Sequence, residues 1–223
     1  MIWLVLYTDG RDELLARTIA SANENLHGPI TRRTIVDDTG QLAHAATLST
    51  EYPEWTIEAH SERLGFGGTI ARTWRYLAAS AVREQFVFHL EDDFTFNRPV
   101  DLVAMWRVLN EYPTLAQLAL RRQPVNEAEI AAGGVVEMWP DQYIDKYNGY
   151  LGSHWLEHRL FFTTNASLYR RSLCGLEWPE IERSEEAFTR RCLEHGYTFG
   201  YWDHRDSGEA IHHIGTHRAG SGY

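Results

Sequence analysis

Phe86-Val87-Phe88-His89-Leu90-Glu91-Asp92-Asp93 is the stretch on which the reading of this chain turns. Its first half is an apolar run of strand length, the pattern of a strand buried on both faces. Three acids follow without a spacer. Adjacent carboxylates repel one another and are costly at the end of an apolar strand unless a cation or hydrogen-bond donors offset them. A hard divalent ion held by carboxylate oxygens, with positions left open for diphosphate oxygens, meets that need. Acids in this place also suit a solvated loop or helix caps.

Toward the N-terminus the same grammar repeats. Ile2-Trp3-Leu4-Val5-Leu6-Tyr7 predicts a central parallel strand, broken by Thr8-Asp9-Gly10. Asp12 to Leu26 carries an apolar stripe at Leu14, Leu15, Ile19 and Ala22 and predicts a helix closed by Gly28-Pro29. Thr34-Ile35-Val36 predicts a second strand ending in Asp37-Asp38-Thr39-Gly40, and Trp55 to Ala59 a third. Gly65-Phe66-Gly67-Gly68 then feeds a helix through Ile70, Trp74, Leu77 and Ala78. Strands alternating with helices at this spacing imply an α/β fold on a mostly parallel sheet. Open α/β sheets bind ligands beyond the carboxyl ends of their strands, so Asp9, Asp37, Asp38, Glu91 and Asp93 are expected on one rim.

The sequence beyond is less regular. A helix is predicted from Val100 to Asn110, a strand near Leu115 to Leu120, and strand segments at Leu160 to Thr164 and Ala166 to Tyr169. Trp139, Tyr143, Tyr147, Tyr150 and Trp155 fall in an irregular region; at least half are expected in the core, and the rest offer faces on which a sugar or peptide stacks. Glu185 to His195 predicts a helix closed by Gly196, and a glycine- and histidine-rich tail runs from Ile211 to Tyr223.

With 223 residues, no internal repeat and no linker, the chain reads as one domain of two halves, about 1–98 and 99–223. The hydrophobic fraction of 43% and charged fraction of 23% are ordinary for a globular protein. A formal net charge of −10 works against a nucleic-acid partner, whose affinity comes from Lys and Arg replacing counterions. No apolar run is long enough to span a membrane, and no basic leader precedes the first strand, so the expectation is a cytoplasmic protein. Cys174 and Cys192 lack metal-ligand spacing and are expected as buried thiols in a reducing compartment.

The order of these segments resembles the GT-A glycosyltransferases, family 2 in particular, over most of the chain. Tyr7-Thr8-Asp9-Gly10-Arg11-Asp12-Glu13-Leu14-Leu15 is similar to that family's opening strand, turn and arginine. Val36-Asp37-Asp38-Thr39-Gly40 is similar to its V-D-D-G-S strand end, where an aspartate meets the nucleobase. Arg63-Leu64-Gly65 through Ala71-Arg72-Thr73 resembles its N-x-G…A-R-N segment, with Arg63 and Thr73 replacing the usual asparagines. Glu91-Asp92-Asp93 matches the DXD motif, Glu91 standing for the first aspartate.

The resemblance implies a Rossmann-like sheet with a smaller acceptor-side half, and a sugar transfer from a nucleotide sugar, UDP being the commonest carrier. Asp93, Glu91 and His213 become the candidate ligands of Mn²⁺ or Mg²⁺, the histidine favouring manganese. Thr8, Asp9, Arg11, Asp37, Asp38, Gly65, Arg72, Glu91, Asp92, Asn165 and Arg218 become candidate donor-binding residues. In Ser184-Glu185-Glu186 the second acid, Glu186, matches the family's general base, with Glu185 in reserve. The bland alternative is that Ser184 caps the helix and both acids complement its dipole. The tail carrying Arg218 is expected to order over a bound diphosphate and exclude water. Inverting transfer to a saccharide, protein or small-molecule acceptor is the leading expectation. A sugar-1-phosphate nucleotidyltransferase, which carries an Arg/Lys-containing glycine-rich loop that Thr8 to Asp12 lacks, and a binding module without turnover are the alternatives.

Overall fold

The computed structural model describes residues 1–215. The first half contributes β1 (Ile2–Thr8), α1 (Asp12–Asn25), β2 (Leu26–His27), β3 (Ile30–Asp37), α2 (Leu42–Glu51), β4 (Thr56–Ala59), α3 (Gly65–Ala79), β5 (Phe86–Glu91) and β6 (Phe94–Phe96). The second contributes β7 (Val100–Asp101), α4 (Leu102–Glu111), β8 (Leu115–Ala119), α5 (Glu127–Ala132), α6 (Val135–Met138), β9 (Ile144–Asn148), β10 (Ser153–His158), β11 (Ser167–Arg170), α7 (Ser184–Glu194), β12 (Thr198–Trp202) and β13 (Ile211–His213).

A nine-stranded sheet in the order β4-β3-β1-β5-β11-β8-β12-β10-β9 crosses both halves without a break. β10 and β11 run against the other strands. Helices cover both faces, and the alternation along β1 shows why. Ile2, Leu4 and Leu6 join Leu15 and Ile19 of α1 and Met105 and Val108 of α4 in one core. Trp3, Val5 and Tyr7 join Ile70, Trp74 and Leu77 of α3 and Phe188 and Cys192 of α7 in the other. A strand apolar at every position is the sequence of a strand with a core on each side.

Trp74 ties α3 to α7. Its ring lies 4.8 Å from Phe188 and 5.2 Å from Trp178, both edge-to-face, and Trp178 stacks on Phe188 at 5.0 Å. Aromatic pairs at these separations add to the stabilisation from burial alone, so the start of α7 is fixed relative to α3.

Several expectations change. Leu160 to Thr164 forms no strand, because its backbone amides are taken by side chains: Phe162 N donates to Thr189 Oγ1 at 2.8 Å, Thr163 N to Gln117 Oε1 at 3.1 Å and Thr164 N to Glu185 Oε1 at 2.7 Å. The irregular aromatic region is a hairpin, β9 and β10, in which Tyr143 and Trp155 are buried while Trp139, Tyr147 and Tyr150 are exposed, fewer core positions than expected. The helix expected from Val100 begins at Leu102, where Asp101 Oδ1 accepts from Val103 N and Ala104 N. Ser184 is not the cap of α7 but its first residue; the cap position is Arg183, which makes no side-chain capping bond. Helix α2 and strand β12 carried no signal strong enough to be read. Leu48 alone is buried on α2, and the glycine at 200 dilutes the apolar pattern of β12.

Candidate active site

Register brings the acidic turns together. Thr8 of β1 pairs with Asp37 of β3, and Tyr7 pairs with Glu91 of β5. The ladder continues one residue further, Asp38 N donating to Thr8 O at 2.9 Å and Asp92 N to Tyr7 O at 3.0 Å. Chain connections leave β1 toward β3 on one side and come back to β5 on the other, the point where open α/β sheets leave a crevice.

Arg11, one residue before α1, closes the floor of that crevice. Its Nε donates to Asp9 Oδ1 at 3.0 Å, its Nη1 to Asp93 Oδ2 at 2.5 Å and its Nη2 to Asp92 Oδ1. Asp92 is wholly buried; Thr8 Oγ1 donates to its other oxygen at 2.7 Å, and Thr18 Oγ1 of α1 donates to its carbonyl at 2.8 Å. Burial pushes the Asp92 carboxyl up to about 6, against the pull of Arg11 and Thr8. Asp93 goes the other way: burial opposes its charge, but His213 and Arg11 outweigh that and hold it below the usual carboxylate range.

His213 arrives on β13, which pairs antiparallel with β6 so that His213 faces Phe94. Its ring packs on Phe94 at 5.0 Å, and its Nε2 lies 3.2 Å from Asp93 Oδ2. Ile214 N donates to Asp93 O at 2.8 Å. Gly215 then crosses so tightly that a Cβ there would lie 2.5 Å from Asp93 Oδ2 and 3.1 Å from Arg11 Nη1. Asp93 Oδ1 is buried and makes no hydrogen bond among the described residues. Among the described residues, no three or more His, Cys, Asp or Glu side chains are gathered to hold a metal ion. Glu91 turns instead to a cleft that it lines with Tyr7, Thr8, Asp9, Asp38 and Arg63.

The two aspartates at the end of β3 part company. Asp37 is 1% exposed; its Oδ1 accepts from Thr39 N at 2.9 Å and its Oδ2 meets His44 Nδ1 at 2.9 Å. The other His44 nitrogen meets Asp12 Oδ1, also at 2.9 Å. Burial works against charge on His44, but the hydrogen bonds to Asp12 and Asp37 outweigh it and raise its pKa. Asp38 stays at the cleft wall, its Oδ1 accepting from Leu64 N at 2.8 Å, and Arg63 Nη2 crosses the mouth to Asp9 Oδ2 at 3.0 Å. Gly40 allows this approach, since with φ +72° a Cβ there would sit 2.6 Å from Arg63 N. Gly65 starts α3 with φ +72°, while Arg72 lies on the exposed face of that helix. Within the cleft wall, His89 stacks on Tyr7 at 4.6 Å and is pushed down to about 3 by burial, so it is neutral.

A second corner forms where α7 begins. Its first turn lies beside α3, a Cβ on Gly67 coming within 3.7 Å of Ser184 Oγ. Glu185 turns inward, and its Oε1 accepts from Thr164 N and from Thr164 Oγ1 at 2.9 Å. Glu186 turns outward and pairs with Arg183 Nε at 2.8 Å. Arg183 has φ 56°, uncommon for a residue with a side chain. Asn165 sits half-buried beside Thr164, at the end of β11 that faces the carboxyl ends of β5 and β8.

The structure thus gathers Thr8, Asp9, Arg11, Asp92, Asp93 and His213 into one network and Asp38 and Glu91 into the adjoining cleft. It sets Asp37 aside against His44, while Arg218 lies outside the described residues. Thr18, His44 and Gly215 also support the site. Only Gly215 left a trace in the sequence, as the residue closing His213-Ile214-Gly215.

The strand order, with one reversed strand between β5 and β8 and the acidic turn at the end of β5, is the GT-A type of α/β fold. Solved structures agree: Staphylococcus aureus TarS residues 1–349 superimposes with a TM-score of 0.61 at 11% identity, over 95% of this chain and 59% of that one. The same segment in complex with UDP gives a TM-score of 0.60 at 11% identity and the same coverage. A longer TarS structure gives 0.59 at 10%, over 96% of this chain and 36% of that one. The chain therefore spans less than two thirds of the TarS structures it matches. No family model and no curated protein matches it.

Proposed function

We propose that this chain is a glycosyltransferase that takes a sugar from a nucleoside-diphosphate sugar and passes it, with inversion, to a hydroxyl or amide of a saccharide, protein or small-molecule acceptor. The observation that carries the proposal is the carboxylate corner of Asp92 and Asp93 at the carboxyl end of β5, in a fold shared with a protein whose structure holds UDP. A sheet-end crevice with convergent acids, arginine and backbone amides fits a diphosphate and its counter-ion.

The donor set suits a hard or borderline divalent ion: Asp93 Oδ1 is buried without a partner among the described residues, and the His213 imidazole lies beside the same carboxylate. Asp93 and His213 would hold Mn²⁺ or Mg²⁺, which would supply positive charge to offset that gathering on the leaving diphosphate. Thr8, Asp9, Asp38 and Glu91 line the cleft for the nucleoside, UDP first, and Arg63 covers its mouth. Glu186, exposed on the first turn of α7, accepts the acceptor's proton. Glu185 holds Thr164, and with it Asn165, against the sugar's side of the crevice.

No helix among the described residues is long and apolar enough to cross a membrane. Cys174 and Cys192 are free and buried, which suits the cytoplasm as the place of action.

The test is a thermal-shift panel of UDP, GDP and dTDP and their sugars with and without Mn²⁺, followed by donor hydrolysis. A ligand that binds only the folded state raises Tm by mass action. The expected result is a rise with one diphosphate and Mn²⁺ together and slow release of free sugar. Binding without sugar release would make the chain a binding module. Release of pyrophosphate from a nucleoside triphosphate and a sugar phosphate would make it a nucleotidyltransferase.

A further inference from the structure

Arg11 does more than line the crevice. One guanidinium answers three carboxylates, through Nε to Asp9, Nη2 to Asp92 and Nη1 to Asp93. The Asp92 and Asp93 side chains are 0% and 5% exposed, so water does little to screen what happens between them. His213 Nε2 and Arg11 Nη1 share Asp93 Oδ2, leaving Oδ1 as the buried oxygen without a partner among the described residues. A divalent ion at Oδ1 would sit beside a guanidinium that cannot shed its charge by losing a proton. Gly215 passes directly over both groups, a Cβ there coming within 2.5 Å of Asp93 Oδ2 and 3.1 Å of Arg11 Nη1, so the guanidinium and a divalent ion compete for little space.

We propose that Arg11 is the resident counter-cation of this corner and that it keeps a divalent ion off Asp93 until a diphosphate draws the guanidinium away. A diphosphate offers Arg11 paired acceptor oxygens that match its fork, and with the guanidinium on phosphate, Asp93 is released to the metal. The two ligands then bind cooperatively, each raising the other's affinity by the same factor. The proposal rests on the donor reading above and adds an order of assembly to it: metal does not precede nucleotide.

The experiment follows free Mn²⁺ by electron paramagnetic resonance on the full chain, with and without UDP at matched free Mn²⁺. It compares wild type, Arg11→Met, Arg11→Lys and the Arg11→Met/Asp93→Asn pair. Wild type is expected to take up Mn²⁺ weakly alone and about tenfold or more tightly with UDP. Arg11→Met is expected to bind Mn²⁺ alone at least about tenfold more tightly than wild type, to lose most of the UDP dependence, and to lose its gain when Asp93→Asn is added. Arg11→Lys, a point charge without the fork, is expected between the two and covers a failure of Arg11→Met to fold. Wild type binding Mn²⁺ equally with and without UDP would overturn the proposal. So would Arg11 variants that bind Mn²⁺ no better than wild type, or a gain that survives Asp93→Asn. If UDP binds no form, the donor reading falls, while the Mn²⁺-only comparison still decides the part played by Arg11.

Discussion

The corner at the end of β5 and the corner at the start of α7 are both built from adjacent acids, yet they are opposites. At β5 the carboxylates are buried, their backbone is pinned by the ladder to β1 and by Ile214, and a single arginine joins them. At α7 two glutamates one residue apart diverge, Glu185 inward to Thr164 and Glu186 outward to Arg183. Successive residues on a helix point about 100° apart, so neighbours there do not share a ligand. The contrast teaches that a sheet end gathers charge for binding, whereas a helix start separates an inward-held residue from one that faces solvent.

The sharpest way to break that contrast is at the two glutamates. Glu186→Gln is expected to lower kcat for transfer by about 10²–10⁴-fold, the usual contribution of a general base, while donor affinity in thermal shift stays the same. Glu185→Gln, which leaves the proton-accepting group in place, should lose less. Equal losses, or the reverse order measured in the same acceptor assay, would move the base to Glu185.

Removing the packing that fixes α7 should separate the corners in stability. Trp74→Ala is expected to cost about 3–5 kcal/mol in urea unfolding. Native-state hydrogen exchange should then show α7 amides losing protection before those of β1 and β5, because the ring's contacts run to Trp178 and Phe188. Uniform loss would mean that the corners unfold as one unit.

Thr8→Val acts on the β5 corner and on the turn after β1, where Thr8 Oγ1 accepts from Gly10 N at 3.2 Å. It removes the hydroxyl donor to Asp92 Oδ2, a bond to a charged group worth about 1.5–3 kcal/mol by denaturant titration. No change would show that Arg11 satisfies Asp92 without it.

The smallest effect concerns pH. His44 has a folded-state pKa raised above its ordinary 6.5 by Asp12 and Asp37. Its stabilisation is complete below the unfolded pKa and is lost as pH rises through the folded one. Tm of the wild type should therefore fall as pH rises above the ordinary histidine pKa of 6.5, and His44→Gln should flatten that part of the profile. A slope that survives the substitution belongs to another group.

Much of the first half was legible because its strands are buried on both faces: Ile2 to Tyr7 and Phe86 to Leu90 have no polar interruption except His89, itself buried. The second half read less well for a local reason. At Phe162, Thr163 and Thr164 an apolar and β-branched run looks like a strand, but distant side chains compete for its amides. Tyr147 and Tyr150 are the same residue type as the buried Tyr143, and only their places, on an edge strand and in the β9–β10 turn, leave them exposed.

For the site, the sequence by itself determined which acids end which strands, since apolar runs and the residues that break them are properties of the local chain. That alone placed Asp9, Asp37, Asp38, Glu91 and Asp93 on one rim. Tertiary structure decided how each is used: Asp37 is taken by His44, Asp92 is buried under Arg11 and Thr8, and His213 reaches Asp93 from the far end of the chain. The physical reason is that a carboxylate's role depends on which donors and how much water surround it, and those come from residues beyond its own turn, for Asp92 and Asp93 from segments far away in the chain.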